Sequence, residues 1–150
     1  MAPTARTTLA SIEAEYRRYK AYAEGALAQL TGEQLNVRAG PEANSVAMIV
    51  WHMSGNLASR FTDFLTTDGE KAWRQREEEF AARMVSKPDC IAKWDAGWKV
   101  LFDTLATLTD ADLGTTVHIR KQPLTLQMHM QEQLEMLVYV LQLQVLEQLI

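Results

Sequence analysis

His52 stands inside the apolar helical pattern SVAMIVWHMSGNLASRF, and imidazole is a common ligand for divalent metals. On a helical wheel it falls beside the apolar stripe, not opposite it. Asn56 follows at four residues, Arg60 at eight and Asp63 at eleven, so a polar stripe flanks the core face. Ser54, Gly55 and Ala58 are small enough for a neighbouring helix or a ligand to approach closely. Two chemistries fit His52. It is either a metal ligand between helices or a buried histidine hydrogen-bonded to a structural partner. The first needs further donors from another helix.

Other candidates are spread along the chain. Asp68-Gly69 has turn chemistry, and Trp73, Arg74 and Arg76 can stack on or bridge acidic groups. The plainer reading of that segment is a structured corner before the third helix. Glu77, Glu78 and Glu79 read as a solvated helix face. His118 sits in an extended linker beside Arg120 and Lys121 and reads as a loop histidine. His129 and Glu132 stand three apart near the start of the fourth helix, so both can share a face and bind a metal.

Four helical segments must position these groups. The first spans about Thr8 to Leu30, with Ile12, Tyr16, Tyr19, Ala23, Leu27 and Leu30 on one face. The second spans about Ser45 to Leu65, with the stripe Val46, Ile49, Met53, Leu57, Phe61 and Phe64. The third spans about Lys87 to Leu108. Ile91, Trp94, Trp98, Leu101, Leu105 and Leu108 follow bundle-seam spacing, and Ser86 with Pro88 reads as its N-terminal cap. The fourth starts near Leu124 and has no Lys or Arg. It carries one stripe of Leu134, Val138, Leu141, Val145 and Leu149. A second holds Met136, Tyr139, Val140, Leu143 and Ile150. Two apolar sides predict two buried sides, one in the bundle and one against a pocket or a second subunit.

The linkers after helices one and three match. Each has a leucine, a capping threonine (Thr31, Thr109), a short helical turn, then an irregular stretch to the next helix. This predicts a weak internal repeat of two helical pairs. TTVHIR, residues 115–120, is locally extended and fits a short strand or a stiff loop. Nothing else predicts a sheet, so the expected class is all-α.

Composition bounds the function. The 150 residues fit a single domain over 1–150, and 47% hydrophobic content is that of a globular core. Net charge −4 argues against a nucleic-acid partner. The single cysteine, Cys90, excludes an intrachain disulfide and suits the cytoplasm. No apolar run approaches the roughly 18–20 residues of a membrane span, and the N-terminus lacks a signal-peptide stretch.

Residues 62–74, TDFLTTDGEKAWR, followed by Arg76, Glu79 and Phe80, resemble the DinB/YfiT-like superfamily. The match is to a bacterial branch of it marked by a helix-two histidine and this segment. The linker from Leu108-Thr109 to Leu113, Ile119-Arg120 and Pro123 resembles the same branch. The resemblance implies a four-helix bundle, usually dimeric, with a divalent metal held by three histidines. His52 matches the ligand on helix two. The two helix-four positions fall on Met136 and Val140, and the family's glycine position on Gln142. Neither Met136 nor Val140 is a ligand for a hard or borderline cation. Three explanations stay open: a member that lost its metal, an altered C-terminal segment, or a metal held by His52 with His129 or Glu132.

Two functions follow. One is a dimeric scaffold or small-ligand binder with a degenerate metal site and no cofactor, its cleft lined by Asn56, Arg60, Met136 and Val140. The other is a metal-dependent enzyme, such as a thiol transferase, in which Zn²⁺ or Ni²⁺ is held by His52. In that reading Asn56 and Arg60 orient an anionic substrate. No catalytic residue is assigned in either.

Overall fold

The computed structural model describes residues 5–140. The chain runs α1 (Thr7–Ala28), α2 (Gly32–Leu35), α3 (Val46–Phe61), α4 (Arg76–Glu79) and α5 (Lys87–Leu105). A 3₁₀ turn (Asp110–Gly114), β1 (Thr116–Ile119), β2 (Gln122–Thr125) and α6 (Leu126–Val140) follow. The fold is mostly helical. No helix of the described residues is long and apolar enough to cross a membrane.

The helix starts are set by side-chain caps. Ser45 Oγ accepts from the Met48 N–H at 3.1 Å and opens α3, and Ser86 Oγ accepts from the Asp89 N–H at 3.2 Å and opens α5. Thr31 caps α2 in a reciprocal pair with Gln34, and the Thr109 N–H donates to Asp112 at 2.8 Å across the 3₁₀ turn. Both predicted threonine-led turns therefore form.

α3 stops at Phe61, four residues before the expected end. Asp63 takes a left-handed φ of 47°, and its carbonyl accepts from the N–H groups of Thr66 and Thr67. Phe64 still reaches the core from this turn, whereas Leu65 is exposed.

α3 and α5 pack most closely. A Cβ at Gly97 would stand 2.8 Å from Ser54 Cα, and Ser54 Oγ donates to the Lys93 carbonyl at 2.8 Å. The small residue at 54 thus admits a helix. Tyr16, Phe61, Trp94 and Trp98 fill the centre fully buried. Tyr16 meets Phe61 and Trp98 edge-on, each at 6.5 Å, and its hydroxyl donates to the Met130 carbonyl at 2.6 Å, tying α1 to α6.

The extended stretch 115–120 forms strand β1, and the expectation that nothing else makes a sheet is corrected by its partner β2. β1 and β2 form an antiparallel hairpin with Val117 opposite Leu124 and Ile119 opposite Gln122. Its loop is Arg120-Lys121, at φ 51° and 67°, the primed-turn geometry that matches strand twist. Neither residue is a glycine or asparagine, so the usual turn signal is missing. Asp68 compensates: its carboxylate accepts from the N–H groups of Arg120 at 2.8 Å and Lys121 at 2.7 Å. Because Leu124 and Thr125 belong to β2, α6 begins at Leu126, not Leu124.

The buried face of α6 also differs from either predicted stripe. It holds Leu126, His129, Met130, Gln133, Leu137 and Val140, with Leu134, Val138 and Met136 half-buried and Tyr139 exposed. Leu137, in neither stripe, is its central apolar contact. Leu141, Gln142, Leu143, Val145, Leu149 and Ile150 lie outside the described residues.

Candidate functional site

His52 projects from α3 toward the corner that follows it. Its Nδ1 lies 3.0 Å from Glu79 Oε1. The same carboxylate takes two bonds from Arg74: Nε to Oε2 and Nη2 to Oε1, each 2.9 Å. The side chains of Arg74 and Glu79 are almost fully buried, and that of His52 is 15% exposed. Burial pushes the Glu79 carboxyl up, but the hydrogen bonds from His52 and Arg74 outweigh it and hold the group below the usual carboxylate range. Phe80 lies against the imidazole at 4.7 Å, and Arg76 covers Phe80 at 5.5 Å.

The expectation that Glu79 belongs to a solvated face is corrected. Glu77 and Glu78 are exposed, but Glu79 is 6% exposed and is the hub of the corner. The signal available in sequence was its fixed place after Arg74 and before Phe80 in the family segment. Arg74 bridges an acidic group as expected, whereas Trp73 remains exposed. Gly55 makes room for the carboxylate, because a Cβ there would collide with Glu79.

A carboxylate can only accept, so Nδ1 of His52 donates to Glu79, and the tautomer that this bond selects has its lone pair on Nε2. Carboxylate-oriented imidazoles of this kind serve as metal ligands. The remaining donors are the difficulty. Met136 is half-buried against the core and Val140 is buried. Neither offers a suitable donor atom for Zn²⁺ or Ni²⁺. Among the described residues no three His, Cys, Asp or Glu side chains stand close enough to hold a metal. The residues present do not fit a three-histidine centre.

His129 and Glu132 do not share a face. His129 is 1% exposed and Glu132 is exposed. His129 Nε2 lies 3.1 Å from the Arg60 carbonyl, which can only accept, so Nε2 carries the proton, and the buried Nδ1 has no partner among the described residues. The ring is stacked on Phe64 at 5.4 Å and edge-on to Phe61 at 5.1 Å. Burial pushes its pKa down to about 4. It is a core histidine.

Asn56 and Arg60 are both buried. Arg60 Nη1 donates to the Gly69 carbonyl at 2.6 Å and to Glu70 at 3.2 Å, and Arg120 Nε reaches the same Glu70 oxygen at 3.1 Å. Burial lowers the Arg60 pKa, partly offset by Glu70. Asn56 Oδ1 and Gln133 Oε1 are buried without partners among the described residues. His118 lies exposed on β1, and its carbonyl accepts from Gly69 N–H at 2.7 Å. Cys90 is fully buried, and burial pushes its thiol up to about 11, so it is neither a nucleophile nor a ready ligand.

Among the described residues, two of the clefts beside α3 adjoin the groups discussed above. One of about 410 Å³ lies against the corner and is lined by Trp51, Trp73, Arg83 and Lys93. The other, about 390 Å³, is lined by Arg60, the hairpin and the start of α6.

The model of the family described as "Protein of unknown function (DUF1572)" matches residues 3–150. A crystal structure of a conserved protein from Enterococcus faecalis is similar, with TM-score 0.69 and 19% identity over 95% of each chain. A DinB-like protein from Bacillus cereus is similar too. Its TM-score is 0.66 at 14% identity, covering 91% of this chain and 87% of that one. These likenesses establish a shared fold. No curated protein matches the chain.

Proposed function

The chain belongs to the DUF1572 family of proteins of unknown function, and on that premise we propose that it is a non-catalytic, DinB-like binding bundle. In this reading the four long helices form two pseudo-repeated pairs, α1 with α3 and α5 with α6, each joined through a threonine-capped turn. The protein acts as a homodimeric scaffold or small-ligand binder. Its cleft is lined by Asn56, Arg60, Met136 and Val140, and its setting is the cytoplasm.

One observation carries this reading. Of the three positions that the resemblance implies for metal, only His52 is a histidine, while Met136 and Val140 present a thioether and a hydrocarbon. Apolar side chains in a former metal cleft favour burial of an apolar surface, by about 1–3 kcal/mol each. The exposed Tyr139 on α6 supports a partner surface.

A second reading keeps the enzyme. A metal-dependent thiol transferase would use His52 as a ligand. The bond from Nδ1 to Glu79 favours this, because it leaves Nε2 free to coordinate.

Elemental analysis of the protein after incubation with Zn²⁺ or Ni²⁺ and removal of free metal separates the two. The binding reading expects far less than one metal per chain. Near-stoichiometric metal that disappears in His52→Ala would establish the enzyme reading instead. Sedimentation at micromolar concentration tests the dimer, and a strictly monomeric species would remove that part.

A further inference from the structure

We infer that the cleft between α3 and residues 73–83 is a binding site for a small planar aromatic anion, such as a one- or two-ring carboxylate. At about 410 Å³ it falls toward the smaller end of small-molecule sites. It is a different site from the cleft proposed above. At 100° per residue, Trp51, Gly55 and Ala58 lie on the side of α3 opposite Asn56 and Arg60. The inference therefore stands whether or not His52 holds a metal.

Charge is the first reason. The Arg83 guanidinium lies 4.8 Å from the centre of the Trp51 ring and the Lys93 ammonium 5.6 Å from it. Two like charges converge on one indole, and neither makes an ion pair among the described residues. Arg83 donates only to the backbone carbonyls of Ala81 and Glu78, and the Lys93 ammonium makes no hydrogen bond among the described residues. The Glu78 carboxylate also lines the cleft, one negative charge against two unpaired positive ones. Arg74 does not add to the excess, because Glu79 neutralises it. A carboxylate bound in the cleft that both residues line would offset their excess positive charge and gain charge-assisted hydrogen bonds.

Shape and surface are the second. Trp73 is 57% exposed and has no packing role in the core, yet its indole lines this cleft. Trp51 is half-buried on the same cavity. Indoles and a guanidinium plane are stacking surfaces for flat rings. Ala58 keeps the α3 wall low beyond the point where Glu79 covers Gly55, so a ring can approach the helix there.

The test is calorimetric titration of the full chain with 2-naphthoate and with its neutral counterpart, 2-naphthamide. Naphthoate is expected to bind with a micromolar Kd, and the amide about tenfold more weakly or worse. Lys93→Glu and Trp73→Ala should each weaken naphthoate about tenfold while leaving the thermal midpoint within a few degrees. Should Lys93→Glu melt early, Lys93→Gln makes the same comparison. Absence of naphthoate binding at about 1 mM, equal affinity for the amide, or unchanged affinity in both variants would each overturn the inference.

Discussion

The Glu79 carboxylate occupies the space that a Cβ on residue 55 would need. The glycine is therefore a packing partner of a buried charge, not a turn residue. It sits about one helical turn from His52 and lets the carboxylate reach both that imidazole and Arg74. A short helix of four residues, α4, exists to deliver the group. The corner after α3 is thus built around one ionised side chain and the hole left for it.

Gly55→Ala should destabilise the protein by about 1–3 kcal/mol, because the carboxylate must leave a site where two buried partners depend on it. The cost should shrink when Glu79→Ala is present, since the clash is then gone. A double-mutant cycle by urea denaturation measures this. Additive effects of the two substitutions would show that the contact between them is not what Gly55 protects.

Glu79→Gln should be more damaging, about 3–5 kcal/mol at neutral pH, because it leaves the buried Arg74 guanidinium without its counter-charge. The effect has a pH signature. The folded carboxyl titrates below its unfolded value, so its stabilising contribution is fully present above the ordinary glutamate pKa of about 4.3. It fades as pH falls through the lower folded value. The difference between wild type and Glu79→Gln should therefore narrow in acid. A gap that stays constant from neutral pH into strong acid would remove Glu79 ionisation as the cause.

The hairpin loop offers a prediction of opposite sign. Arg120 and Lys121 both hold positive φ, where side-chain residues are strained. Asn at 120 with Gly at 121 should stabilise by about 0.5–1 kcal/mol, since the backbone N–H bonds to Asp68 are kept. Asp68→Ala should act the other way and speed amide exchange at residues 116–125. No change in exchange there would mean that the strands hold the loop without Asp68.

These residues also mark what the sequence could reveal. The long helices and the caps Ser86, Thr31 and Thr109 follow from local spacing and short-range hydrogen bonds, and they were legible. The hairpin was not, because its turn runs against local preference and is held by Asp68, about fifty residues away. The role of Glu79 was hidden for a similar reason. In the run Glu77 to Glu79, residue type and helical spacing do not distinguish the one carboxylate that faces Arg74 and His52, and only its place before Phe80 in the family segment marks it. On α6, Leu137 was passed over because Leu, Val and Met surround the helix, and only the position of α1 and the hairpin decides which side is inward. For His52 the residue pattern leaves a metal ligand and a hydrogen-bonded structural histidine both open, because its tautomer depends on Glu79 in another element.

His129 carries the last prediction, and its sign follows from the direction of its shift. In the unfolded chain the imidazole protonates near its ordinary pKa of about 6.5, while burial delays this to about 4 in the fold. Between those values the unfolded state binds the extra proton, so stability falls as pH is lowered through the window. The loss is on the order of 3 kcal/mol when complete, and it levels off below the folded pKa. His129→Gln keeps an amide donor for the Arg60 carbonyl but removes the titration. Its stability at pH 7 should fall by about 1–3 kcal/mol from poorer packing against Phe61 and Phe64. Its slope between pH 6.5 and 4 should flatten relative to wild type, as read by urea midpoints at each pH. Equal slopes in the two proteins would mean that His129 is already accessible to protons in the fold, and that its contact with Arg60 opens readily.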